Sequence, residues 1–131
     1  MQFRVPDRPI EFDIPDEWLK AANAREFSPK TRGYLASSDL RWPTTLIRLS
    51  EIAVPVRNVG VRTLDEERTV SILRAITSGQ TLPAIEADIP PQASQFKYRV
   101  RDGYHRFYVS VALGFSHLPL SIRPHFDIAA L

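Results

Sequence analysis

Cysteine is absent from the 131-residue chain, which excludes disulfides, thiol nucleophiles and zinc–thiolate sites. No apolar run approaches the ~18 residues of a membrane span, so neither a transmembrane helix nor a membrane partner is expected. Met1 to Asp7 carries no apolar core of the signal-peptide kind. A cytoplasmic protein is the expectation. Charge of one sign is also lacking: 17 basic residues face 15 acidic ones, a net +2 that is too small to argue for nucleic acid. Lysine is scarce, because 14 of the 17 basic residues are arginine. Arginine's planar fork suits phosphate and carboxylate, although base composition alone would give the same bias.

What is present suits one folded domain. Hydrophobic residues make up 44% and charged residues 24% of the chain. The apolar content is enough to offset ordering entropy, and two separate cores would each be too small. Of 11 prolines, seven precede residue 84, which predicts irregular N-terminal and connecting segments.

Residues 1–43 read as an N-terminal extension, and residues 44–131 as the domain with a C-terminal tail. Arg8 to Ile14 alternates like a short strand. Pro15 to Ala22 reads as a helix with Pro15 at its first position and two acids in its first turn. The rest of the extension reads as loop, pinned by Phe27, Tyr34, Leu35 and Trp42.

The domain is more regular. Thr45 to Leu49 is a strand, followed by a turn. Thr63-Leu64-Asp65-Glu66 fits a capping box, with a helix to about Ser78 and Gly79 ending it in the left-handed conformation. That helix buries Val70, Leu73 and Ile76, helped by Thr69 and Ile72. Pro83 to Ala87 is a short strand, and Asp88 to Ser94 a loop. Phe96 to Arg101 alternates strictly, with Lys97, Arg99 and Arg101 forming a basic outer face. Tyr104, Phe107, Tyr108, Val111, Ala112 and Phe115 then mark a buried helix that Gly114 terminates. Pro119 to Ile122 is a last strand. The order strand, helix, strand, strand, helix, strand over residues 45–122 predicts a small α+β unit.

The segment Arg101-Asp102-Gly103-Tyr104-His105-Arg106 carries the most chemistry. A strand ends, a glycine permits a tight turn, and a helix starts with free N–H groups and the positive end of its dipole. With Arg106 in the first turn this makes an anion site, most naturally for phosphate. The same residues also fit a plain cap, with Asp102 as N-cap, His105 on the surface and Arg106 paired to Glu66 or Glu67.

His105, His117 and His125 lack metal-ligand spacing, so no metal site is expected. His117 reads as a dipole partner at the helix C-terminus. Asp65, Glu66 and Glu67 read as a helix start, or as magnesium ligands or a general base beside a triphosphate. Arg57, Arg62, Arg99 and Arg101 frame a phosphate-rich groove or a solvated surface.

The series Leu46-Ile47-Arg48-Leu49-Ser50-Glu51-Ile52, the helix Leu64 to Ser78, Leu82-Pro83-Ala84-Ile85, Asp102-Gly103-Tyr104-His105-Arg106, Ala112-Leu113-Gly114-Phe115 and Leu118-Pro119-Leu120-Ser121-Ile122 resembles, in this order, the ParB N-terminal/sulfiredoxin-like superfamily, also called the ParB-like nuclease domain. The resemblance covers about residues 44–123. It implies a compact α+β fold with a small mixed sheet and packed helices. It also implies a nucleotide phosphate cradled by Gly103, His105 and Arg106, with Asp102 adjoining; Tyr104 completes that turn, and the residues themselves offer Glu66, Arg62 and Arg101 as accessory candidates beside a nucleotide with or without Mg2+. Sulfiredoxins use ATP and a cysteine in this turn; Tyr104 stands in that place, which excludes their activity. Partitioning ParB proteins bind CTP through a Gly-Glu-Arg-Arg turn, which here reads Gly103-Tyr104-His105-Arg106, so neither CTP switching nor sequence-specific DNA clamping is expected of it.

Three functions follow as expectations. One is nucleotide or phosphate-ester binding at the turn 102–106, with or without phosphoryl transfer or phosphodiester hydrolysis. The second is a nucleic-acid-binding module using the basic strand face. The third is an interaction domain without chemistry.

Overall fold

The computed structural model describes residues 1–37, 41–57, 64–91 and 95–123. The chain opens with a hairpin of β1 (Gln2–Arg4) and β2 (Glu11–Asp13), which pairs Phe3 with Phe12. Only the second strand is legible as alternation. The first is too short for a pattern, and its partner fixes it. Helix α1 follows (Asp16–Ala21); Pro15 is its N-cap rather than its first helical residue, with ψ of 139°. The chain then runs irregularly to β3 (Thr44–Arg48), a 3-10 turn (Leu49–Glu51) and the two-residue strand β4 (Ile52–Ala53). Next come α2 (Glu66–Thr77), β5 (Ile85–Asp88), β6 (Tyr98–Asp102), α3 (Tyr104–Leu113) and β7 (His117–Ile122).

The result is a small α+β domain. Its five-stranded sheet has the order β3-β7-β5-β6-β4. The β3–β7 and β5–β6 pairs are antiparallel, while β5–β7 and β4–β6 are parallel, so the sheet is mixed. Helices α2 and α3 pack against each other. Among the described residues no helix is long and apolar enough to cross a membrane.

Residues 1–43 supply part of the core rather than a cover for it. Val5 and Ile14 are fully buried, and Leu19, Ala22, Ala24 and Tyr34 are nearly so, within the same cluster as Phe107 and Leu120. Arg8 fixes the hairpin to the sheet: its guanidinium donates to the carbonyls of Leu49 and Ile52 and lies over the Phe96 ring. Phe27 meets Phe115, and Trp42 meets Arg123, as pins should. Leu35 does not act as one, because it is 50% exposed.

The helix ends follow their glycines. Gly79 has φ of +75° just beyond α2, and Gly114 has φ of +90° at the end of α3. The start of α2 differs from expectation. Its N-cap is Asp65, whose carboxylate accepts from Arg68 N at 2.9 Å; Thr63 lies outside the described residues. An aspartate one turn before its N–H donor is as good a cap as threonine, and its negative charge is favoured at the positive end of the dipole. His117 is not a helix partner either. It opens β7 opposite Arg48, with Nδ1 2.7 Å from Ser116 Oγ.

Candidate phosphate-binding cleft

The starts of α2 and α3 lie side by side. The strand β6 delivers the chain to Gly103, whose φ of +120° turns it into α3. Glycine is needed there twice over. The backbone conformation penalises a side chain, and a Cβ would come within 3.0 Å of Ile85. The close approach that the glycine permits is therefore to buried Ile85, not directly to a ligand. No described side chain caps α3, and the first intrahelical donor is Phe107 N, at 2.9 Å from the Gly103 carbonyl. The N–H groups of Tyr104, His105 and Arg106 are the unladdered ones of such a helix start.

In front of them lies a cleft of about 700 Å³. Gly103, Tyr104, His105, Arg106 and Asp102 all line it, so the sequence segment arrives as one surface. The opposite wall is α2, through Asp65, Glu67, Arg68 and Ser71, and Arg57 closes one side. Arg68 and Ser71 carry no sequence motif. They share a face of α2 at i and i+3, but only the packing of α2 on α3 turns that face toward Gly103.

Each of the four central residues has a distinct role. Tyr104 offers its ring to Arg57, whose guanidinium carbon is 4.3 Å from the ring centroid. Its ring also meets Tyr108, at 4.8 Å between centroids, and His105, at 5.6 Å. His105 is 7% exposed, not a surface residue, and its Nε2 accepts the backbone N–H of Asp65 at 2.9 Å. Burial, then the charges of Arg57 and Arg68, hold its pKa below the ordinary value, against a smaller pull from Asp65. Nε2 is thus engaged as an acceptor, which leaves Nδ1 as the ring nitrogen that can donate to an anion.

Arg106 is a brace. Nη1 donates to the carbonyls of Pro83 (2.7 Å) and Ala84 (2.9 Å), and Nη2 stands 3.6 Å from Asp102. The Tyr34 hydroxyl donates to the same Pro83 carbonyl at 2.6 Å. Burial pushes the Tyr34 hydroxyl up to about 12, against the nearby Arg106 charge. Pairing of Arg106 to Glu66 or Glu67 does not occur. The guanidinium turns toward the strand β5 instead, where two carbonyls lack ladder partners.

Two accessory residues stand elsewhere. Glu66 faces a different groove, on the outer side of α2. Arg101 lies on the β6 face, 3.7 Å from Asp88. Arg62 is outside the described residues. The basic face of β6 is less free than its alternation implies. Asp88 is 3% exposed and receives Arg99 through Nε at 3.0 Å and Nη2 at 2.9 Å. Asp88 ends β5 rather than opening a loop.

Among the described residues that line the cleft, Arg106 is engaged by carbonyls and Asp102, which leaves Arg57 and Arg68 as the cations able to meet a ligand. Among the described residues neither has a carboxylate partner within 4.0 Å. Both are close enough to depress His105. Among the described residues no three of His, Asp and Glu gather as a metal site. Neither a family model, nor a curated protein, nor a solved structure matches the chain.

Proposed function

We propose that the cleft between the starts of α2 and α3 binds a nucleotide or another phosphate ester. One observation carries this reading: Arg57 and Arg68, without carboxylate partners among the described residues, converge with the uncapped start of α3 on a single cleft. Two positive side chains that line one cleft disfavour each other, and an anion bound between them relieves that. The N–H groups of residues 104–106 add directed donors. The sequence resemblance to ParB/sulfiredoxin-like domains points to the same turn.

The roles differ from those read off the motif. Arg57 and Arg68 make the direct contacts, with the backbone of Tyr104 to Arg106. Arg106 and Gly103 set the position of that backbone. Should the site also transfer or hydrolyse a phosphoryl group, Glu67 and Asp102 are the available carboxylates, as base or as partners for Mg2+ brought with the nucleotide. Asp65 is committed as a helix cap. Nucleic-acid binding through β6 draws less support, because buried Asp88 takes up Arg99 and adjoins Arg101.

A melting-temperature screen tests the proposal, using inorganic phosphate, ADP, ATP, CTP, GTP and a short DNA, each with and without Mg2+. A saturable rise with at least one mononucleotide is expected, growing with ligand concentration as linkage requires. A rise with DNA alone, steeply lost with salt, would favour the nucleic-acid module. No rise with any of them would leave the interaction domain.

A further inference from the structure

His105 joins two helix starts. It is the second residue of α3, and its Nε2 accepts the N–H of Asp65, the residue that caps α2. An Nε2 that accepts belongs to a neutral ring with its proton on Nδ1. Protonation puts a second hydrogen between the same two nitrogens, and the bond is lost. His105 is 7% exposed, so little solvent reaches the ring to compensate the lost bond.

The charges around it come from three directions. Arg57 faces it from the loop after β4 and also covers the adjacent Tyr104 ring. From α2 come Arg68 and Asp65, with Glu67 further along the same cleft wall. From its own helix start come Asp102 and Arg106, which face each other at 3.6 Å.

We propose that His105 is a proton-sensitive joint between α2 and α3: neutral, it holds Asp65 and closes the cleft wall; protonated, it releases Asp65, and an anion in the cleft raises the pH at which it does so. The last clause rests on the phosphate reading above; the joint itself rests on the hydrogen bond alone. The coupling follows from the positions of Arg57 and Arg68. Their fields oppose an imidazolium, and an anion between them cancels part of that opposition. Reciprocally, binding takes up a proton, and affinity rises as the pH falls through the His105 midpoint.

The test is a pH titration followed by NMR of the 15N-labelled protein, reading the imidazole nitrogens and the Asp65 amide. His105→Gln identifies the ring signals; its side-chain oxygen keeps an acceptor near the Nε2 position without titrating. Sulfate is the anion probe, since it stays doubly charged throughout, with sodium chloride at matched ionic strength as the control. We expect an Nδ1–H tautomer and a midpoint below the ordinary ~6.5 of histidine. The Asp65 amide should shift with that same midpoint, and its protection from hydrogen exchange, relative to the intrinsic rate at each pH, should fall about tenfold on protonation, as loss of one hydrogen bond implies. Sulfate should raise the midpoint. An Nε2–H tautomer, or an Asp65 amide that ignores the titration of His105, overturns the joint even if His105→Gln does not fold. A midpoint that sulfate leaves unmoved overturns the coupling to the cleft. The phosphate reading is judged separately, by the melting-temperature screen.

Discussion

A Cβ placed on Gly103 would lie 3.0 Å from Cγ1 of Ile85, a fully buried side chain of β5. The start of α3 thus rests directly on the sheet, and the turn has room for hydrogen only. Gly79 also has positive φ, at +75°, but a Cβ there meets nothing within 4 Å. Gly79→Ala should therefore cost about 1–2 kcal/mol, from the backbone alone. Gly103→Ala should cost about 2–4 kcal/mol, because overpacking adds to the backbone term. Urea unfolding of the two variants checks the difference; equal losses would contradict it.

Arg106 should show itself in stability. Arg106→Ala removes two donors from the carbonyls of Pro83 and Ala84, beneath a side chain only 15% exposed. A loss of about 1.5–3 kcal/mol is expected. Arg106→Lys should recover only part, since a single ammonium cannot reproduce the fork. A urea midpoint unchanged in Arg106→Ala would contradict the brace.

Tyr34 should resist ionisation. Its hydroxyl is buried on the Pro83 carbonyl, and its pKa is pushed up to about 12. An unfolded tyrosine loses its proton near 10, so the unfolded state gives up the proton first. The contribution to stability is complete below pH ~10 and declines as the pH rises through the folded value. Absorbance at alkaline pH, comparing wild type with Tyr34→Phe, should lose a late-titrating tyrosine; loss of an ordinary one would contradict this.

The two arginines near Asp88 should differ. Arg99 binds the carboxylate with two nitrogens, at 3.0 and 2.9 Å, whereas Arg101 approaches with one at 3.7 Å. Arg99→Ala leaves the buried carboxylate without its closest cation and should cost about 1–3 kcal/mol, less than loss from a fully buried pair because Arg99 is itself partly exposed and Arg101 stays near. Arg101→Ala should cost less than about 1 kcal/mol. Thermal unfolding of both variants reads the contrast, and equal losses would contradict it.

Local patterns were sufficient for α3, whose bounds of Tyr104 and Leu113 follow from the apolar stripe and the flanking glycines. The end of α2 at Gly79 was legible for the same reason. Short partners were not legible. Neither β1 nor the two residues of β4 can display a period, and each exists because a neighbouring strand supplies the hydrogen bonds. Within the site, the cluster from Asp102 to Arg106 was visible because it is continuous in sequence. Its long-range partners were not. Arg106 meets carbonyls 22 and 23 residues away, which have no side-chain signature. His105 is tied to a backbone N–H 40 residues away. Arg68 gains its place only when α2 docks beside α3. Asp88 looked like a loop residue because a lone acid at a strand end does not reveal the arginine opposite it in β6.

The most direct measurement is calorimetric titration of the mononucleotide that raises the melting temperature most, with and without Mg2+, into the wild type and into the double variant Arg57→Gln/Arg68→Gln. Both proteins must first give the same folded circular-dichroism spectrum. The account predicts one saturable site in the wild type. It predicts at least ~100-fold weaker binding in the double variant, since each charge-assisted phosphate contact contributes about 1.5–3 kcal/mol. Equal affinities would show that the phosphate does not lie between Arg57 and Arg68, and would contradict the assignment of the cleft.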